Sequence, residues 1–224
     1  MVTSPAIDPA APVAPSLLPM TSSILDGGHL AIGGCDVVSL ALEHGTPIFV
    51  YDEDHLRARC REAVEAFGEG VAYATKAFLC TAMAKLALEE GLCLDVATGG
   101  ELDVALRAGA AGSQIVLHGN NKSDDELRRA IDVGVRRIVV DSDDEITRLA
   151  SLTHLGPIKV MLRVTPGVEA HTHEFVRTGQ EDSKFGLSIA SGAATRAIER
   201  VSSLAGVELV GIHAHIGSQV FDVS

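Results

Sequence analysis

"GVAYATKAFLCTAMAKLALEEGLCLDVATGGELDVALRAG", residues 70–109, carries the fold in its rhythm. "GVAYAT" is a short apolar run after a glycine and predicts a strand. "FLCTAMAKLALEEG" has helical spacing and stops at Gly91, "LCLDVAT" is a second apolar strand, and "GELDVALRAG" is a second helix ended by glycine. Short strands rich in Val and Leu, alternating with helices of this length, indicate parallel β/α units. One lysine interrupts the pattern. Lys76 stands at the end of the first strand, where an amine at a desolvated barrel mouth would be disfavoured in its charged form and free to attack a carbonyl.

The same alternation runs outward from this stretch. Downstream, "QIVLHG" (114–119), "RRIVVD" (136–141), "PIKVMLRVTP" (157–166) and "VELVGIHAHIG" (207–217) predict strands. Between them lie helices at "SDDELRRAIDVG" (123–134), capped by Ser123, at "SDDEITRLASL" (142–152), and at "IASGAATRAIERVSSL" (189–204) after a polar insertion over 165–183. Upstream, "DHLRARCREAVEAFG" (54–68) places Leu56, Cys60, Ala63, Val64 and Phe67 on one helical face. "HLAIGGCDVVSLALEHGTPIFVYD" (29–52) predicts strand, helix-like turn and strand, the last over "PIFVYD".

Six strands from residue 71 to 216 predict an α/β fold, an incomplete (β/α)8 TIM-like barrel of about six units, where eight make about 250 residues. An open doubly wound sheet fits the alternation too, but the glycine-rich dinucleotide fingerprint is missing after the first strand. A barrel lacking two strands leaves edges unpaired, so the expectation is the front part of a longer protein. The domain organisation expected is a flexible leader over 1–24, a segment of a second, β-rich domain over 25–53, and a partial barrel over 54–224.

Composition narrows the class. The formal charge of −12 argues against broad nucleic-acid or anionic-membrane binding, which need a basic face. No apolar run is long enough to span a bilayer, and the proline-broken N-terminus lacks a positive signal region. Cys35, Cys60, Cys80 and Cys93 have no metal-site spacing, so buried reduced thiols in a cytoplasmic protein are expected, with Cys60 and Cys80 on helix core faces.

In such barrels function sits at the C-terminal strand ends. Those ends carry Lys76, Asp95 with Thr98-Gly99-Gly100, "LHGNNKS" (117–123), Asp141-Ser142, Arg163 and "HAHIGSQ" (213–219). If the carbonyl is that of pyridoxal phosphate, Lys76 would hold it as a Schiff base, His215 would lie against its ring, and Gly217-Ser218 would offer donors to its phosphate. "DSDDE" (141–145) is expected to be a solvated helix start. Lys122 and Lys184 are candidates for either the mouth or the surface, and His171 and His173 for a loop near the substrate entrance or for ordinary exposed insertion residues.

"YATKAF", "LCLDVATGGEL", "LHGNNKS", "HTHEF" followed by "EDSKFG", and "GIHAHIGSQ" appear in that order and together resemble the diaminopimelate decarboxylases, of the fold-type III pyridoxal-phosphate group. The resemblance runs from about residue 30 to the end. It implies pyridoxal 5'-phosphate as cofactor, decarboxylation of meso-diaminopimelate to L-lysine, and a homodimer sharing its active sites. It implies Lys76 as the Schiff-base lysine, His215 against the cofactor ring, and Asp95, Arg163 and Ser218 as cofactor-pocket residues. The family's glycine-rich phosphate loop and C-terminal β domain have no counterpart in these residues. Another basic amino-acid decarboxylase and a non-catalytic cofactor-binding protein are the alternatives. A metal-dependent hydrolase barrel using His213-x-His215 is more remote, because those barrels carry that pair on the first strand.

Overall fold

The computed structural model describes residues 13–167 and 185–216. The chain divides into two compact units, residues 1–69 and 70–224.

In the first unit, β1 (Ser23–Ile24), β2 (Leu30–Ile32) and β3 (Cys35–Asp36) form a small antiparallel sheet in that order. The Asp36 carboxylate accepts from the Val38 N–H and caps helix α1 (Val37–His44). Asp52 does the same for α2 (Glu53–Phe67), accepting from the His55 N–H at 3.1 Å and from the Thr21 hydroxyl. Two expectations are corrected here. "PIFVYD" forms no strand, and Phe49 is 90% exposed, because an apolar run without a ladder partner has no reason to be extended in register. Phe67, expected on the apolar face of α2, is exposed at its last position.

The second unit is a parallel sheet with a helix after nearly every strand. Its elements are β4 (Ala72–Ala74), α3 (Thr81–Glu89), β5 (Cys93–Val96), α4 (Gly99–Arg107), β6 (Ile115–Leu117) and α5 (Asp124–Asp132). These are followed by β7 (Arg137–Val140), α6 (Asp143–Leu152), β8 (Ile158–Thr165), β9 (Leu187–Ser188), α7 (Ala193–Ser202) and β10 (Val207–Ala214). The strand order is β4-β5-β6-β7-β8-β10, all parallel, with β9 pairing the end of β8. Six parallel strands in sequence order are the (β/α) succession that the sequence predicts, and β9 is an addition among the described residues.

The core lies between one face of this sheet and its helices. Leu94, Val96, Leu117, Val140, Val160 and Leu162 from the strands meet Leu102, Leu127, Ile146 and Leu149 from the helices, all buried. Each such side chain contributes roughly 1.5–3 kcal/mol by leaving water. On β8 the alternation is plain: Ile158, Val160 and Leu162 are buried, while Lys159, Met161 and Arg163 take the opposite face. Cysteine usage needs correction as well. Cys60 and Cys93 are buried, but Cys35 and Cys80 are exposed. Cys80 is the N-cap of α3, its sulfur 3.4 Å from the Met83 N–H, so its place is set by a helix start and not by core packing.

Candidate functional site

The parallel order puts every C-terminal strand end of the second unit on one edge, and the strand-end side chains meet there. Lys76 lies in a single 3-10 turn, Thr75–Ala77, directly after β4. Thr75, 1% exposed, donates its hydroxyl to the Asp95 carbonyl at 2.9 Å. Tyr73 donates its phenol to the Phe78 carbonyl at 2.7 Å. The turn is thus clasped from both sides, which fixes the backbone beneath the Lys76 amine. That amine is exposed, not desolvated as the sequence suggested.

Asp95, on β5, points its carboxylate at the ring of His118, with Oδ1 2.8 Å from Nδ1. His118 follows β6 and extends its ladder, donating its N–H to the Val96 carbonyl at 2.7 Å. The His118 ring meets the His213 ring edge-to-face, centroids 4.5 Å apart. Among the described residues, the buried His213 Nδ1 has no hydrogen-bond partner. Burial, then the neighbouring His118 and Arg163 charges, push the His213 imidazole down to about 4. His215 is also lowered, first by burial and then by Arg163, Lys76 and His118.

Both histidines reach this face through a β-bulge. Leu209 pairs with Val160, but Gly211 pairs with Met161, so Val210 is an extra residue in β10. The bulge moves His213 opposite Arg163. Without it, the register would carry His213 to the helix-covered face, since a one-residue slip exchanges the two faces of a strand.

Arg163 donates from Nη1 to Asp141 Oδ1 at 3.0 Å, and its guanidinium sits 4.5 Å over the Phe185 ring. The other Asp141 oxygen accepts from the Gly186 N–H at 3.0 Å. Asp141 therefore ties the end of β8 to the chain that returns at Phe185. The "DSDDE" stretch starts helix α6, with Ser142 as its cap, but it is not solvated as expected: Asp141 and Glu145 are buried, because Arg163 and Lys122 pair with them. Lys122 is neither at an open mouth nor on the surface. It is fully buried, bonded to the Gly119 and Val139 carbonyls and ion-paired with Glu145.

The structure therefore brings His215 within electrostatic reach of Lys76 and Arg163, sets Asp95 against His118, and adds His213 and Asp141 to the same strand-end edge. His118 stood in "LHGNNKS" at a strand end, the signal by which it could have been chosen. Ser218, Gly217, Lys184, His171 and His173 lie outside the described residues. Among the described residues, no group of three or more His, Cys, Asp or Glu side chains could hold a metal ion, and no helix is long and apolar enough to cross a membrane.

Residues 53–224 match the family model of the pyridoxal-dependent decarboxylase, pyridoxal binding domain. The chain belongs to this family. It is 54% identical over 215 residues to the diaminopimelate decarboxylase of Mycobacterium tuberculosis, covering 94% of this chain and 48% of that protein. It is 50% identical over 204 residues to the Bacillus subtilis diaminopimelate decarboxylase, covering 88% and 46%. The crystal structure of diaminopimelate decarboxylase from M. jannaschii in complex with L-lysine superposes with a TM-score of 0.81 at 33% identity, over 90% of this chain and 49% of that one. The chain spans about half the length of the curated relatives it matches.

The residues present suit a pyridoxal group. An exposed primary amine stands on a clamped turn within electrostatic reach of the His215 imidazole, whose pKa is lowered, and that imidazole in turn feels the Arg163 guanidinium.

Proposed function

We propose that the protein of which this chain forms part is a pyridoxal-phosphate-dependent carboxy-lyase that converts meso-2,6-diaminopimelate to L-lysine and carbon dioxide. The single observation that carries this is the convergence of Lys76, Asp95, Arg163 and His215 on one strand-end edge of a family barrel. When bound, the cofactor's ring takes up the electron pair left by the departing carbon dioxide. The chain's own task is to hold and orient. Lys76 would hold the cofactor at its carbonyl carbon, His215 would flank its ring, and Asp95 and Arg163 would line its pocket; Ser218, assigned to the pocket by resemblance, lies outside the described residues.

The substrate assignment is supported by the identity to diaminopimelate decarboxylases. A homodimer and a cytoplasmic location accompany it. The stretch 25–53 is proposed to open the β-rich domain, and the family match beginning at residue 53 supports a barrel boundary there.

Borohydride reduction of the full-length protein with pyridoxal phosphate, followed by peptide mass mapping, tests the site. A pyridoxyl group on Lys76, lost in Lys76→Ala, is expected. Labelling scattered over other lysines and unchanged by the substitution overturns it. Release of carbon dioxide from meso-diaminopimelate, but not from lysine, ornithine or arginine, tests the substrate, and analytical ultracentrifugation tests the dimer.

A further inference from the structure

The opposite edge of the same sheet, at the N-terminal strand ends, holds a cavity of about 560 Å³ lined by Arg136, Arg137 and Lys159, with Ser113, Pro157 and Val210 among its walls. That size falls in the range of small-molecule sites, roughly 300–1,000 Å³. Arg137 opens β7, and Lys159 stands beside it across the ladder, because the residues that follow them, Ile138 and Val160, are paired. Arg136 and Arg137 converge on Gly70, where a Cβ would lie 3.2 Å from Arg136 Nη2 and 3.7 Å from Arg137 Nη2. Two guanidinium charges side by side repel, and more so half-buried than in water. A carboxylate is the usual answer, yet among the described residues none pairs with either arginine, in a chain with 30 acidic and 18 basic residues. Lys159 has Glu208 at 3.8 Å, in a pair that is mostly exposed. Arg137 Nη1 reaches the Met161 sulfur at 3.5 Å and Arg136 Nη1 the Cys93 sulfur at 3.8 Å, and sulfur is a weak acceptor. Arg137 Nε is buried and, among the described residues, has no partner.

The backbone beneath these side chains is fixed. The Arg136 N–H donates to the Gly112 and Ile115 carbonyls at 2.9 Å each, and a Cβ on Gly112 would overlap the Val133 carbonyl oxygen. We propose that this pocket is a second binding site, which takes a small multivalent oxyanion of the phosphate class between Arg136 and Arg137, with the Lys159 ammonium at its rim. A guanidinium fork matches two oxygens of one phosphate, and such charge-assisted bonds are what the sulfur contacts leave unmade. The site lies on the edge away from Lys76 and does not rest on the cofactor assignment.

Titration calorimetry of the full-length protein with inorganic pyrophosphate tests it. Saturating pyridoxal phosphate is present throughout, so that the proposed cofactor site is filled, and chloride holds the ionic strength constant. One pyrophosphate per chain is expected to bind saturably. Arg136→Gln and Arg137→Gln should each weaken it at least about tenfold, the loss of one charge-assisted pairing. Lys85→Gln, on the exposed face of α3, should leave it unchanged. Arg137→Lys keeps the charge without the fork, so it should bind more weakly than the parent, and it serves if the glutamine variant does not fold. Absence of saturable binding in the parent overturns the proposal and means that the rest of the protein fills the pocket. Affinity unchanged in both glutamine variants, or lowered as far by Lys85→Gln, overturns it as well. Because the arginine variants assign the heat to this edge, the result stands apart from whether borohydride traps a cofactor on Lys76.

Discussion

Lys122 Nζ lies 2.7 Å from Glu145 Oε1, with the two side chains 0% and 2% exposed. The same ammonium donates to the Gly119 and Val139 carbonyls, and Glu145 Oε2 accepts from the Asp141 N–H at 3.0 Å. One buried pair therefore joins the turn after β6, strand β7 and helix α6. Burial drives the lysine's pKa down, while Glu145 and Asp141 pull it back up. Removing one partner strands the other charge, so Lys122→Met should cost roughly 3–5 kcal/mol in chemical denaturation. Lys122→Met with Glu145→Gln, which leaves no buried charge, should recover part of that loss. Equal losses in the single and double variants would show that the pairing is not the source.

Asp141 is the hinge between that pair and the candidate site. Its side chain, 4% exposed, serves Arg163 and the Gly186 N–H with one oxygen each. Asp141→Asn keeps the shape but cannot accept with both atoms, and should cost about 1.5–3 kcal/mol. With its anchor weakened, Arg163 should also hold the cofactor less well. Fluorescence titration with pyridoxal phosphate would register this, and unchanged affinity would mean that Arg163 does not need Asp141 to be placed.

Glu126 joins two helix starts. Its carboxylate accepts from the Ser123 N–H and hydroxyl in a capping box on α5, and from the Gly99 N–H of α4 at 2.7 Å. Burial works to raise its pKa, but the bonds from Ser123 and Gly99 prevail and hold it below the ordinary value. The stability this supplies is present above the ordinary carboxylate pKa and is lost as pH falls below it. Glu126→Ala should cost about 1–3 kcal/mol at neutral pH, and Glu126→Gln less. Thermal melts of the two variants side by side would decide, and equal losses would argue against the carboxylate's charge mattering.

The strand and helix succession from Ala72 to Ala214 was legible because each strand's apolar run and each helix's glycine or serine boundary agree with the same fold. Lys76, Asp95, Arg163 and His215 were legible as strand ends, since parallel topology alone brings such ends together. What escaped was long-range. Nothing local distinguishes Val210 as a bulge, yet it decides which face His213 takes. Lys122 was ambiguous because its burial depends on Glu145, 23 residues away in sequence. "PIFVYD" looked like a strand because β-rich composition says nothing about whether a partner strand is there.

His213 gives the site a pH signature. Folded, it takes its proton only near pH 4; unfolded, near the ordinary value of 6.5. Between these values the unfolded chain holds the additional proton, so this residue's share of stability is complete above about 6.5 and is lost as pH falls toward 4. His215, lowered in the same direction, adds to it, and the carboxylates Asp36, Asp52 and Glu126 act at the acid end. One proton corresponds to a slope of at most about 1.4 kcal/mol per pH unit, and solvent screening at a half-buried ring leaves a fraction of that. Replacing His213 by Gln removes the titration while keeping a polar side chain. The unfolding free energy of the parent minus that of His213→Gln, measured from pH 4 to 7, should rise with pH and level off near neutrality. A flat difference would mean that His213 is as easily protonated in the folded protein as in the unfolded chain, and that partial burial beside His118 does not disfavour its charge.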